Sequence, residues 1–282
     1  MTALTAIRCR ACGGTLRAIP GSVPACLFCG ATELLPVAQP ETVEDPVGAI
    51  PFAIDDAAAR AAFTRFATSS WWYPSDLRAA RLELRRLMLP AWAWTGALEV
   101  HWAGLIPSAT RARKRPVAGR DVADFSQVLI PSSPALKLAE LRALGAYDEA
   151  ALIPFDPEAA TDPFEVGTVT RSMSRTQAFA EMQHRFRAKL VSERSLVKAN
   201  LSAVTPALDG RPVLVPVYIG AYRYGNGVYR VLVNGQSGVM TGTAPISGWK
   251  VALVCAAVAA AVVAVCVAAA VCMGVVGVAS NL

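Results

Sequence analysis

The end of the chain constrains it most. From Val251 to Ala279 there is no charged residue and no Pro, Asn or Gln. The run is Ala and Val, broken only by Leu253, Cys255, Cys266, Cys272, Met273, Gly274 and Gly277. A helix needs roughly 20 apolar residues to cross a hydrocarbon core about 30 Å thick. This run is longer, so it spans with tilt or continues past the bilayer edge. Trp249 and Lys250 stand at its entrance, where an aromatic interface anchor and a snorkelling cation belong. Only Ser280, Asn281 and Leu282 follow. The expectation is a tail-anchored protein with a single transmembrane helix over 249–282 and its working parts before it. A buried core helix is the alternative, but the run has no polar face. A cleaved sorting tail would need a small-residue site and a polar spacer upstream, and neither stands out.

The remaining ~250 residues suffice for one sizeable core and a small module. Residues Met1–Arg8 contain no apolar signal region, which places the N-terminal bulk in the cytosol. Arg223, Arg230 and Lys250 precede the apolar run and no basic residue follows it, the positive-inside pattern for that orientation. The expected address is the cytoplasmic (inner) membrane. The net charge of +6 lies entirely before the run and suits an anionic lipid surface or nucleic acid.

The seven cysteines divide into four within the first thirty residues and three in the apolar run. That is no secreted disulfide framework. The second group reads as small apolar residues. The first forms Cys9-Arg10-Ala11-Cys12-Gly13 and Cys26-Leu27-Phe28-Cys29-Gly30, two Cys-x-x-Cys-Gly turns with thirteen residues between them. Two cysteines three apart in a tight turn present both sulfurs to one ion, and the glycine allows the backbone such a turn needs. Four thiolates in a tetrahedron select zinc and leave no position for a reacting water. Cys9, Cys12, Cys26 and Cys29 are thus candidate ligands of one structural zinc ion in a ribbon over 1–36, with Thr15–Pro24 as its hairpin. Two dithiol redox pairs are the other reading.

A Pro-rich, acidic linker over 37–50 follows, then an α+β domain over 51–248. Asp55 or Asp56 caps a first helix that carries Ala59, Ala62, Phe63 and Phe66 on one side. Trp71-Trp72-Tyr73-Pro74 break it. Leu77, Leu84, Leu87 and Met88 predict a second helix from Ser75 to about Leu89, with Arg78, Arg81, Arg85 and Arg86 outward. From Trp92 to Trp102 the bulky residues fall on even positions, a strand with a tryptophan face toward the core. His101 and Glu99 share its other face.

Ser108–Arg120 holds Arg111, Arg113, Lys114, Arg115 and Arg120 with no acid, and reads as a basic loop or hairpin tip. Arg111, Arg113, Lys114 and Arg115 are the candidate contacts to nucleic-acid phosphate or to lipid head groups; a merely solvated run is the alternative. Phe125–Ile130 reads as a strand, Ser133–Leu144 as a helix and Ser174–Ser202 as a long helix. The long helix carries a stripe of Phe179, Met182, Phe186, Leu190, Val197 and Leu201 and a basic opposite face. A meander closes the domain: strand Val213–Tyr224, turn Asn226-Gly227, strand Val228–Val233, turn 234–238 and strand Val239–Thr243.

In that meander Leu214-Val215-Pro216-Val217-Tyr218, Tyr222-Arg223-Tyr224, Tyr229–Gly238 and Gly242–Ser247 carry a resemblance. With Ile50-Pro51-Phe52, Trp72-Tyr73-Pro74 and Leu89–Trp94, they make the chain similar, in order over nearly its whole length, to a family of bacterial membrane-attached zinc-ribbon proteins. Members carry a transcription factor IIB-type ribbon or a primosomal-helicase label. The resemblance implies metal binding and membrane attachment. Some relatives are linked to phage-shock-type membrane stress and to stomatin- or flotillin-like assemblies, which implies an adaptor role. The chain has no Gly-x-x-x-x-Gly-Lys-Ser/Thr loop, so only the ribbon is shared with a helicase.

With two His, a closed metal site and no phosphate loop, the expectation is a protein that is not an enzyme. It is a membrane-tethered adaptor or scaffold whose ribbon recruits a protein partner while the bilayer holds its end. Ala256, Ala260, Ala264 and Ala268 at four-residue spacing would let copies pack as a homo-oligomer. A membrane-tethered nucleic-acid binder is the alternative.

Overall fold

The molecule is laid out along one strand. A computed structural model describes residues 5–11, 13–18, 25–26, 30–37, 43–107 and 114–279. Strand β5 (Leu82–Pro107) is 26 residues long, where about 5–6 is usual. Such a length needs partners along both edges. On one edge the first half, Leu82–Gly96, pairs with β10 (Leu208–Tyr224), and Glu99–Leu105 pairs with β9 (Lys198–Val204). On the other edge Ala91–Pro107 pairs with β6 (Lys114–Pro131). β10 continues through β11 (Gly227–Asn234) to β12 (Met240–Gly242) as an antiparallel meander.

The N-terminal strands join the same sheet. β1 (Thr5–Cys9) lies between β2 (Thr15–Ala18) and β3 (Leu34–Val37), antiparallel to both. β2 then pairs with β8 (Phe164–Glu165), which meets β5 at Met88. Two short strands extend from β10: β4 (Gly48–Ala49) pairs with β10, and β7 (Ile153–Pro154) pairs with β4. Among the described residues twelve strands form one mixed sheet. With four helices among the described residues, the class is α+β.

Each face of β5 builds its own core. Leu87, Leu89, Ala91 and Ala93 face Val213, Val215 and Val217 and are closed over by Leu141, Leu144 and Tyr147. Leu141 comes from helix α2 (Leu138–Ala143). Trp92, Trp94, Leu98, Val100 and Trp102 project the other way, onto Ala178, Met182, Phe186 and Leu190 of helix α3 (Arg171–Arg194). The expected tryptophan face is therefore core. Each indole N–H has an acceptor, as buried indoles require: Val169 O at 2.9 Å, Ser174 Oγ at 2.8 Å and Asp121 Oδ2 at 2.7 Å. Helix α1 (Asp56–Ala67) starts as expected, with Asp55 accepting from the Ala58 N–H, and buries Ala59, Ala62 and Phe63.

Several expectations are corrected. The helix read from Ser75 to Leu89 is one 3-10 turn, Leu77–Ala79, followed by the start of β5. Leu and Arg are good helix formers, but the β-branched row of β10 pairs with this segment residue for residue and overrides propensity. The long helix does not reach Ser202. Ser195 takes a left-handed conformation (φ 50°) and stops it, and Lys198–Val204 is claimed by β5. Ser133–Leu144 holds only the six-residue α2. The β10–β11 turn sits at Gly225-Asn226, one residue earlier than read, because Tyr224 pairs with Gly227 and the positive φ falls on Gly225. The final helix, α4 (Gly248–Ala279), covers the apolar run and is long and apolar enough to cross a membrane.

Candidate functional site

Two places carry the candidate chemistry. The first is the pair of cysteine turns. Cys9 closes β1, and Cys26 follows a segment outside the described residues; both are buried. Their backbones repeat one pattern. The Cys9 N–H donates to Gly14 O at 2.9 Å and Cys9 O accepts from the Gly13 N–H at 2.9 Å. The Cys26 N–H donates to Ala31 O at 2.7 Å and Cys26 O accepts from the Gly30 N–H at 2.8 Å. Gly13 and Gly30 have φ of 75° and 77°, which glycine adopts without strain. The Cys-x-x-Cys-Gly motif thus has a mechanical basis: the glycine lets the chain fold back over its cysteine. Cys12 and Cys29 lie outside the described residues. Among the described residues no group of three or more His, Cys, Asp or Glu is placed to hold a metal. The two buried thiols at the heads of matching turns are the donor type zinc takes.

The segment that carries the two cysteine turns is stitched to the rest of the sheet by polar contacts the sequence did not reveal. Val166 N–H donates to Thr15 O at 3.0 Å, and Arg85 Nη1 donates to Cys26 O at 3.3 Å. The fully buried Glu165 carboxyl accepts from the Thr15 N–H at 3.4 Å and from the Ser133 hydroxyl. Burial pushes the Glu165 carboxyl up to about 8, against the pull of Ser133, Thr15 and the more distant Arg230. At neutral pH it is largely protonated.

The second place is the foot of α4. Trp249 projects outward, 63% exposed. Lys250 does not snorkel. It is buried, and its Nζ donates to Trp71 O at 2.8 Å and Tyr73 O at 2.7 Å. The Ser247 N–H donates to Trp72 O at 2.9 Å. All three carbonyls of the Trp71–Tyr73 turn are thus held by the approach to α4, fastening the helix to the domain. A cation at the head of a helix opposes the macrodipole, so its placement is explained by these carbonyls and not by the helix. Sequence reasoning saw Trp71-Trp72-Tyr73 only as a helix breaker; an aromatic turn followed far downstream by Trp-Lys was the available signal.

The basic residues are dispersed. Arg111 and Arg113 lie outside the described residues. Lys114 and Arg115 are exposed at the start of β6, opposite Pro107 and Ile106. They stand at the far end of β5 from the Leu82 end, where α4 is fastened, roughly 80 Å away along the strand contour at about 3.3 Å per residue. On α3 four cations are paired among the described residues: Arg171 with Glu44, Arg185 with Glu181, Lys189 with Glu193, and Arg194 with Asp121. Glu99 is engaged by Arg120 at 2.7 Å, so it is not set up as a partner for His101. His184 lines a separate cleft of about 400 Å³ with Glu181, Arg142 and Tyr147. No family model, no curated protein and no solved structure matches the chain.

Proposed function

We propose that this protein is a membrane-anchored zinc-ribbon adaptor. Cys9, Cys12, Cys26 and Cys29 hold one structural zinc ion, and the metal fixes the shape of a small knob that recruits a protein partner to the cytoplasmic face of the inner membrane. The observation that carries the reading is the repeated turn: Cys9 and Cys26 make the same two backbone hydrogen bonds, each with its own left-handed glycine. A closed tetrathiolate would supply folding energy and no reactive water. Placing such a ribbon on a sheet that leads into α4 suits recruitment better than turnover. The resemblance to membrane-attached zinc-ribbon proteins agrees with this reading and extends it to membrane-stress or membrane-assembly systems.

The test is in-cell crosslinking of the full-length chain, followed by purification in detergent with and without nuclease and metal analysis of the product. The reading expects one zinc per chain and a protein partner that survives nuclease and is lost in Cys26→Ser/Cys29→Ser. Recovery of nucleic acid, or of partners only when nuclease is omitted, would replace the adaptor with a nucleic-acid binder using its basic residues.

A further inference from the structure

We infer that the Trp71–Trp72 turn is a second membrane contact, seated in the interfacial zone of the bilayer that α4 enters. The inference rests on the reading of α4 as a membrane anchor. It starts from two large indoles left outside the core: Trp71 is 53% exposed and Trp72 is 42% exposed. They pack edge to face at 5.1 Å. The turn that displays them is hydrogen-bonded within itself and packed on α1. The Trp72 N–H donates to Ser70 Oγ at 3.3 Å, the Tyr73 N–H donates to Ser70 O at 3.2 Å, and Tyr73 packs on Phe66 of α1.

What covers these rings follows from what they adjoin. Lys250, in the first turn of α4, holds the carbonyls of Trp71 and Tyr73. Its ammonium lies 5.5 Å from the Trp71 ring and 5.8 Å from the Trp249 ring, so the two indoles flank one charge. If α4 enters the bilayer, Trp71 stands at the same depth as its first turn. Indoles concentrate at that depth because the ring is apolar and the N–H is wet. The surrounding charge matches a phospholipid surface. Arg81 and Arg223 adjoin the Leu82–Tyr222 pair at this end of the sheet, and both are exposed, as is Arg78. Two acids stand among them: Asp76, which accepts from Tyr224 Oη at 2.7 Å, and the exposed Glu83 opposite Ala221, so the arginines outnumber the acids three to two. Two anchoring points, the helix and the turn, would hold the domain at one tilt, where a helix alone would leave it swivelling.

The experiment is quenching of tryptophan fluorescence by brominated lipid. The full chain is reconstituted into vesicles of mixed neutral and anionic phospholipid, with bromine on the upper acyl carbons of part of the neutral lipid. Trp92, Trp94 and Trp102 are buried in the sheet core, which leaves Trp71, Trp72 and Trp249 to meet lipid. Trp249→Phe is expected to keep about two-thirds of the wild-type quenching, and Trp71→Phe/Trp72→Phe/Trp249→Phe to keep none. Loss of all quenching in Trp249→Phe overturns the inference and leaves the anchor standing, as does quenching that survives the triple change. A wild-type chain that is not quenched at all removes the anchor reading itself.

Discussion

Glu165 shows how much one side chain adds to the reading. Its carboxyl joins β8 to the start of β2 and to Ser133 with no solvent contact. Its folded value of about 8 lies above the ordinary carboxylate value, so between those two the native state holds a proton that the unfolded chain has released. Stability is therefore full below about pH 4 and falls as pH rises toward 8, by on the order of 4 kcal/mol. Chemical denaturation of the full chain in detergent at pH 5 and pH 8 measures the fall, and Glu165→Gln, neutral at both, is expected to abolish it. Glu181 works in the opposite sense. Burial pushes its carboxyl up, but Arg142 and Arg185 outweigh burial and hold it below the usual range. It stabilises at neutral pH and loses that contribution as pH falls through its lowered value. Glu181→Ala leaves two half-exposed guanidiniums that can rehydrate, so the expected loss at pH 7 is about 1–3 kcal/mol by the same denaturation. Neither residue was legible in the sequence. A Glu reads as solvated even between apolar neighbours such as Phe164 and Val166, and only the fold brings Thr15 or Arg142 to it.

The elements that were legible are those whose partners did not alter the pattern. The tryptophan alternation of β5 is strict, and its even residues meet α3 as spacing requires. The first turns of α1 follow a cap that can be read locally. The start of β5 was misread because Leu77, Leu84 and Leu87 also fit helical spacing, and the deciding pairing with β10 lies more than a hundred residues away. The same limit hides the bend in the β5–β6 hairpin. Between Phe125↔Gly96 and Val128↔Trp94, Ser126 and Gln127 on β6 face Thr95 alone. Gln127 takes φ 59°, where a glycine belongs. A non-glycine residue there is held by its surroundings at a cost of about 1 kcal/mol. Gln127→Gly is expected to leave the bulge in place and raise stability by about 0.5–1 kcal/mol, read as a shift of the denaturation midpoint at unchanged slope. A loss of stability would mean that the Gln127 side chain holds the bend.

At the scale of the molecule, the proposed ribbon can be a separate bead or an extension of the sheet. The sequence separates it by a proline-rich stretch, residues 38–42 of which lie outside the described residues. In space β2 is hydrogen-bonded to β8, Thr15 reaches Glu165, and Arg85 holds Cys26 O. Among the described residues of this segment Ala6, Ile7, Cys9 and Cys26 are buried, and so short a piece of chain takes its order from metal, from this seam, or from both. The contributions separate under chelation. If zinc holds the knuckles, a strong chelator should raise amide exchange at Cys9, Gly13, Cys26 and Gly30 by at least about tenfold, because their hydrogen bonds close only when the turns are held. The β5–β10–β11 amides, Val217, Ile219 and Leu232 among them, should keep their protection, since that core includes no cysteine among the described residues. The informative amide is Val166, which donates to Thr15 O across the seam. Protection that persists there after chelation means that β2 stays docked while the knuckles open, and a partner would then sense metal through the turns alone. Protection that vanishes means that the whole ribbon lifts from β8, which makes the metal a switch for its display. Knuckle amides indifferent to chelation would rule out the tetrathiolate.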